Sequence, residues 1–324
     1  MTKQTIKNRP LEDFLSYLEV EKNRSANTID NYRFYLMRFF DWCSQSQKKR
    51  GFIRPQNINL PLVRKYRVYL NRLSTIDGEP LKKSTQNYHL IALRSFLKFL
   101  AKHDMNSLAA EKIELGKMPD RQINFLDGEE VFRLLDAPAK DPGEKLRIGD
   151  LRDKAILEVL FSTGLRVSEL SHLKREDINL RKKKRGTTEF TVRGKGKKVR
   201  LVFLSERAAY WLKEYLDRRI DTSPWMFVRM DKAANALNDE APMTPRSMQR
   251  LVEKYSHLAG ITKRITPHTL RHTFATDLLA NDADIRSVQS MLGHSSITTT
   301  QVYTHITDKH LREAHNKFHN RRKK

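Results

Sequence analysis

Apolar residues return every three to four positions through the first hundred residues, a rhythm that only helices can bury on one side. Leu11, Phe14, Leu15 and Leu18 fall at i, i+3, i+4 and i+7. After the capping candidates Ser25 and Asn27, the series Ile29, Tyr32, Leu36, Phe39 and Cys43 keeps the same period. The stretch QKKRGFIRPQN breaks it before a third helix around Leu62, Tyr66, Leu70 and Leu73. Ser84 then opens a fourth, carrying Tyr88, Leu93, Phe96, Leu97 and Leu100. Four such helices predict an all-helical amino-terminal domain over residues 1–104. Residues 105–122, MNSLAAEKIELGKMPDRQ, lose the aromatic periodicity and read as a linker.

A second domain is expected over residues 123–324, again mostly helical. Asp127 can cap a helix while Glu130, three residues on, reaches back. Gly164 ends the segment LRDKAILEVLFSTG and Ser205 opens SERAAYWLKEYLDRRI. The exception runs from Asp177 to Leu204. There Phe190 and Val192 alternate with polar residues, Val199, Leu201 and Phe203 do the same, and Gly194 and Gly196 mark a turn. The fold class is therefore mainly α with a small antiparallel β-sheet, and Lys195 stands at the hairpin tip.

Lys and Arg total 62 against 38 Asp and Glu, a formal net charge of +24 spread over both halves. Such an excess points to a polyanionic partner, nucleic acid first, with both domains facing it. The single cysteine, Cys43, excludes an intramolecular disulfide and lies on a helical stripe, so it reads as core in a reducing compartment. The start MTKQTIKNRP has no apolar run, and no stretch of about 20 apolar residues exists to span a bilayer. No membrane is expected, and the location is expected to be cytoplasmic and nucleoid-associated.

The last sixty residues concentrate chemistry in the strings PHTLRHTFA, LGHSS and TTTQVYTHI, which hold His268, Arg271, His294 and Tyr303. Thr266 is an N-cap candidate with Pro267 at the first helical position, so His268 and Arg271 share a face near the positive helix end, where a phosphate is favoured. Upstream, TGLRVSEL supplies Arg166 and VRGKGKKVR supplies Lys195. Two guanidinium forks can hold one phosphate bidentately, a geometry lysine cannot copy. Gly293 is a helix C-cap candidate that leaves His294 at a turn. The Tyr303 phenol, with an unperturbed pKa of about 10, needs activation to attack.

Together these strings resemble the catalytic signature of the tyrosine recombinases, the phage-integrase superfamily, most of all its Xer branch. The resemblance implies a core-binding domain of SAM-like type followed by an α+β catalytic domain, without an arm-binding domain. It implies that Tyr303 attacks a DNA phosphodiester to give a 3′-phosphotyrosyl enzyme and a free 5′-hydroxyl, with no cofactor or metal. Arg166, His268, Arg271 and His294 would bind the scissile phosphate, and Lys195 would protonate the leaving oxygen, ahead of Lys197 and Lys198 because it matches the family's G-K-G position. Glu169 and His272 would support the pocket.

The resemblance further implies a homo- or heterotetramer at synapsis that exchanges terminal helices, here residues 308–319, and an activating DNA translocase. Chromosome or plasmid dimer resolution is the expected task. Integration of a mobile element, type IB topoisomerase activity and non-catalytic DNA-binding regulation stand as alternatives. His268 and His272 have the i, i+4 spacing of a helical metal pair, but HTLRH lacks the glutamate of the zinc motif and Arg271 would repel a cation.

Overall fold

The computed structural model describes residues 9–46, 53–75, 78–118, 124–139, 146–180, 187–194, 199–230 and 241–293. The chain divides into two compact units, Met1–Arg121 and Gln122–Lys324.

The first unit is built from α1 (Arg9–Val20), α2 (Ala26–Ser46), α3 (Leu60–Arg72) and α4 (Lys83–Lys102). Leu11, Phe14, Leu15 and Leu18 are all buried, and Phe14 meets Phe96 edge-on at 5.5 Å between ring centroids. Cys43 is buried in the same core, and burial pushes its thiol up to about 12. Two expectations need correction here. Tyr88 is 53% exposed and stacks on Tyr35, because its neighbour His89 falls on the inward face that Leu93, Phe96 and Leu100 define. α4 also begins at Lys83, without a side-chain cap from Ser84.

Most of the stretch expected as a linker packs on this unit. Ala110 and Ile113 are buried in its core, and Asn87 clasps Gly116 through both its amide oxygen and its amide nitrogen. With Met105 and Leu108 half-buried beside Ala110 and Ile113, these apolar side chains fall at uneven intervals around one short 3-10 turn, which is why the sequence reads as loose.

The second unit comprises α5 (Gly128–Asp136), α6 (Ile148–Thr163), α7 (Val167–Ser171), β1 (Thr188–Arg193), β2 (Val199–Leu204), α8 (Glu206–Asp217), α9 (Pro245–Leu258), α10 (Pro267–Ala280) and α11 (Ile285–Leu292). The expected capping choices hold. Asp127 and Glu130 form a reciprocal capping box, and Ser205 and Thr266 each accept a backbone N–H at a helix start; Asp284, not among those expected, does the same for α11. α6 is the central helix, buried on every side, with α8, α10 and β2 packed around it.

β1 and β2 pair antiparallel with Phe190 opposite Val202 and Val192 opposite Arg200. The inward face of β2 therefore carries Arg200, Val202 and Leu204. Val199 and Leu201, expected inside, are 60% and 45% exposed. Both parities of VRLVFL are apolar apart from Arg200, so alternation alone could not choose. The strand turns its one charge inward because a partner waits there.

Gly164 ends α6 and Gly293 ends α11, both in the left-handed region, at φ +58° and +64°. A Cβ on Gly164 would stand 2.5 Å from the Phe274 ring and 3.1 Å from Leu292. Gly164→Ala should therefore lower the stability of this unit by roughly 2–4 kcal/mol, combining backbone strain with overpacking. Gly128→Ala, where a Cβ meets nothing within 4 Å, should change it by less than about 0.5 kcal/mol. Urea melts followed by circular dichroism check both, and equal midpoints for the two variants would contradict the packing described.

Candidate active site

α10 starts where Thr266 accepts from the Thr269 amide, with Pro267 in the first turn, and Leu126 anchors the helix by donating to Thr273 Oγ1 at 3.0 Å. His268 is exposed on the first turn and Arg271 is buried. His272, partly buried, follows it. The Arg271 guanidinium donates to the Gly164 carbonyl at 2.6 Å and to the Leu292 carbonyl at 2.5 Å. Those oxygens end α6 and α11, where helices leave carbonyls without intrahelical partners and a cation is favoured.

Arg166 is the residue before α7. Its amide donates to Glu169 Oε2 at 2.9 Å, its Nη1 to Glu169 Oε1 at 3.0 Å, and its Nη2 to the Gly293 carbonyl at 3.3 Å. Its side chain stays 28% exposed, so part of the guanidinium reaches the surface. Arg200 completes the group. It grips Glu169 with both Nη atoms, at 2.9 and 2.6 Å, and donates from Nε to the Met291 carbonyl at 2.9 Å. Met291, Leu292 and Gly293 thus present three consecutive carbonyls to Arg200, Arg271 and Arg166.

Burial alone would raise the Glu169 pKa. The Arg200 hydrogen bonds, the Arg166 amide and the positive charge of Arg200 outweigh it and hold the carboxyl below its usual range. Three guanidiniums against one carboxylate leave the cluster net positive, a place for an anion.

Lys195, His294 and Tyr303 lie outside the described residues, as does the expected terminal helix 308–319. In the chain, Lys195 falls between β1 and β2, and His294 directly follows Gly293. Among the described residues no group of three or more His, Cys, Asp or Glu side chains is placed to hold a metal ion, and no helix is long and apolar enough to cross a membrane. Arg200 is the member of the cluster that sequence reasoning missed. The available signal was a lone arginine within an otherwise apolar strand.

The phage integrase family pattern matches residues 124–310, and its N-terminal SAM-like domain matches residues 11–104. The chain belongs to the phage integrase family. Within that family it is a tyrosine recombinase related to the Xer enzymes. It is 38% identical to the tyrosine recombinase XerD of Chlorobaculum tepidum, over 97% of each chain. It is 35% identical to XerA of Pyrococcus furiosus, over 97% of this chain and 95% of that one. Among solved structures, the XerH site-specific recombinase bound to difH substrate in a pre-cleavage complex is similar, with a TM-score of 0.69 and 25% identity. That match covers 96% of this chain and 84% of the other.

Integrase-family membership does not exempt Glu169 from linkage. Its depressed pKa contributes stability that is fully present above the ordinary carboxylate value of about 4.3 and is lost as pH falls through the lower folded value. Glu169→Gln should cost on the order of 3 kcal/mol at neutral pH, because Arg200 stays buried with a weaker partner. The gap between wild type and variant should narrow as pH falls below about 4. Denaturant midpoints across that range check it, and a pH-independent gap would contradict the ion pair.

Proposed function

We propose that this chain is a site-specific recombinase acting on duplex DNA, and that it cuts and rejoins strands through a 3′-phosphotyrosyl intermediate formed on Tyr303. The observation that carries this reading is the convergence of Arg166 and Arg271 on the turn Leu292–Gly293, directly before His294. A scissile phosphate at this turn would meet the exposed part of Arg166 in a locally positive field, and we assign it His268 and His294 as further ligands.

In the proposed step the Tyr303 phenol oxygen forms a bond to phosphorus while the bond from phosphorus to the 5′-oxygen breaks. The phenol releases one proton to the medium and Lys195 delivers one to the leaving 5′-oxygen. No group is oxidised or reduced. Attack by the 5′-hydroxyl of a second strand reverses the sequence and joins recombinant ends. Glu169 orients Arg166, and His272 supports the helix that carries Arg271.

The relatives that cover nearly the whole chain carry recombinase names, which favours strand exchange over a type IB topoisomerase or a non-catalytic regulator. Solved relatives bound to DNA, XerH on difH among them, support duplex DNA as partner. The biological task we favour is dimer resolution of a chromosome or plasmid. The assembly we favour is a tetramer in which residues 308–319 dock on a neighbouring protomer, with a DNA translocase as activator.

The test is covalent trapping on a nicked suicide duplex bearing the dimer-resolution site of the genome that encodes this chain. Wild type should leave a DNA-linked band on a denaturing gel, and Tyr303→Phe should leave none. Specific binding without any band from wild type, with the activating translocase also supplied, would sink the catalytic reading. Removal of residues 308–324 should keep single-site cleavage but lose the four-protomer complex, seen by native gel. An intact complex would refute the docking role.

A further inference from the structure

We propose that Arg200 is a positioning residue for strand cleavage, setting the geometry of Arg166 and of the turn before His294. This rests on the recombinase reading above. Arg200 occupies the inward face of β2 beside Val202 and Leu204, where an apolar side chain would be buried at far lower cost than a guanidinium. Its side chain is only 8% exposed. Stability therefore does not explain its presence, and its contacts do.

Both Nη atoms hold the Glu169 carboxylate, whose same two oxygens receive the Arg166 guanidinium and the Arg166 amide. Sharing the carboxylate in this way limits Arg166 to one side-chain bond with it. Without Arg200, Glu169 would be free to take Arg166 bidentately, drawing in the donors that a phosphate needs. The second contact acts on α11. Arg200 Nε donates to the Met291 carbonyl, and the Arg200 stem lies against Gly293 so closely that a Cβ there would fall 2.9 Å from Cδ. One buried side chain thus fixes Arg166 through Glu169 and fixes the last turn of α11 directly.

The experiment uses full-length protein on the same suicide duplex, comparing wild type, Arg200→Met and Arg200→Lys. Arg200→Met should keep DNA affinity within about threefold of wild type in a mobility-shift titration. Its single-turnover cleavage at saturating protein should fall by about 10²-fold, the loss expected of a misplaced group. Arg200→Lys, which keeps the charge without the fork, should fall between the two.

A readout separates positioning from mere support of the fold. On a duplex whose scissile phosphate is replaced by an uncharged methylphosphonate, demand for a well-placed Arg166 is lower, so the Arg200→Met deficit should shrink at least about tenfold. Circular dichroism melts check folding, and if Arg200→Met does not fold, Arg200→Lys carries the same comparison. Equal deficits on both substrates, or unimpaired cleavage by a folded variant, would overturn the proposal while leaving the recombinase reading intact. Failure of wild type to cleave even with the activating translocase supplied would instead overturn the recombinase reading, and this inference with it.

Discussion

A single buried carboxylate, Glu169, determines how the cationic cluster is arranged. Two guanidiniums share it, and opposite charges 3 Å apart attract by roughly 5 kcal/mol at an effective dielectric of about 20. Taking each ion out of water costs several kcal/mol, so little net stability remains. What survives that near-cancellation is direction. Arg200 points inward from a strand, Arg166 stays partly at the surface, and the spacing between them is set by the two oxygens of one side chain. With Arg271 added, the cluster holds more positive charge than Glu169 can neutralise, and an anion is the natural complement.

The carbonyls at two helix ends supply the other half of the frame. α6 and α11 both stop at a left-handed glycine, which turns their last carbonyls toward the same place. Arg271 joins the two ends, and Arg200 and Arg166 take the carbonyls on either side of its contact on α11. Phe274 and Leu292 close against Gly164 so tightly that no side chain fits there. Packing, helix capping and charge thus converge on the residues just before His294, which is where the proposed chemistry needs rigidity.

Much of this could be read from the residues in order. Helix period located the cores of α1 to α3, and local cap chemistry located Asp127, Gly164, Ser205, Thr266 and Gly293, because each depends on neighbours three or four positions away. Arg166, His268, Arg271 and Glu169 were visible through their strings, whereas the partnership of Glu169 with Arg200 was not, since 31 positions separate them. The inward parity of β2 was hidden for the same reason: alternation had no preference, and a distant carboxylate decided it. Tyr88 misled because an aromatic ring counts as apolar wherever it falls, although His89 held the better angle on α4. The packing of residues 105–118 rests on an asparagine clasp and on Met105, Leu108, Ala110 and Ile113, whose uneven spacing makes no pattern.

The most direct measurement is a crystal structure of Tyr303→Phe bound to its intact DNA site. A scissile phosphate with oxygens within about 3 Å of the Arg166 and Arg271 guanidiniums, and an unbroken fork between Arg200 and Glu169, is the expected result. A phosphate held away from the turn at Leu292–Gly293, or an Arg200 released from Glu169 to touch the DNA itself, would contradict it.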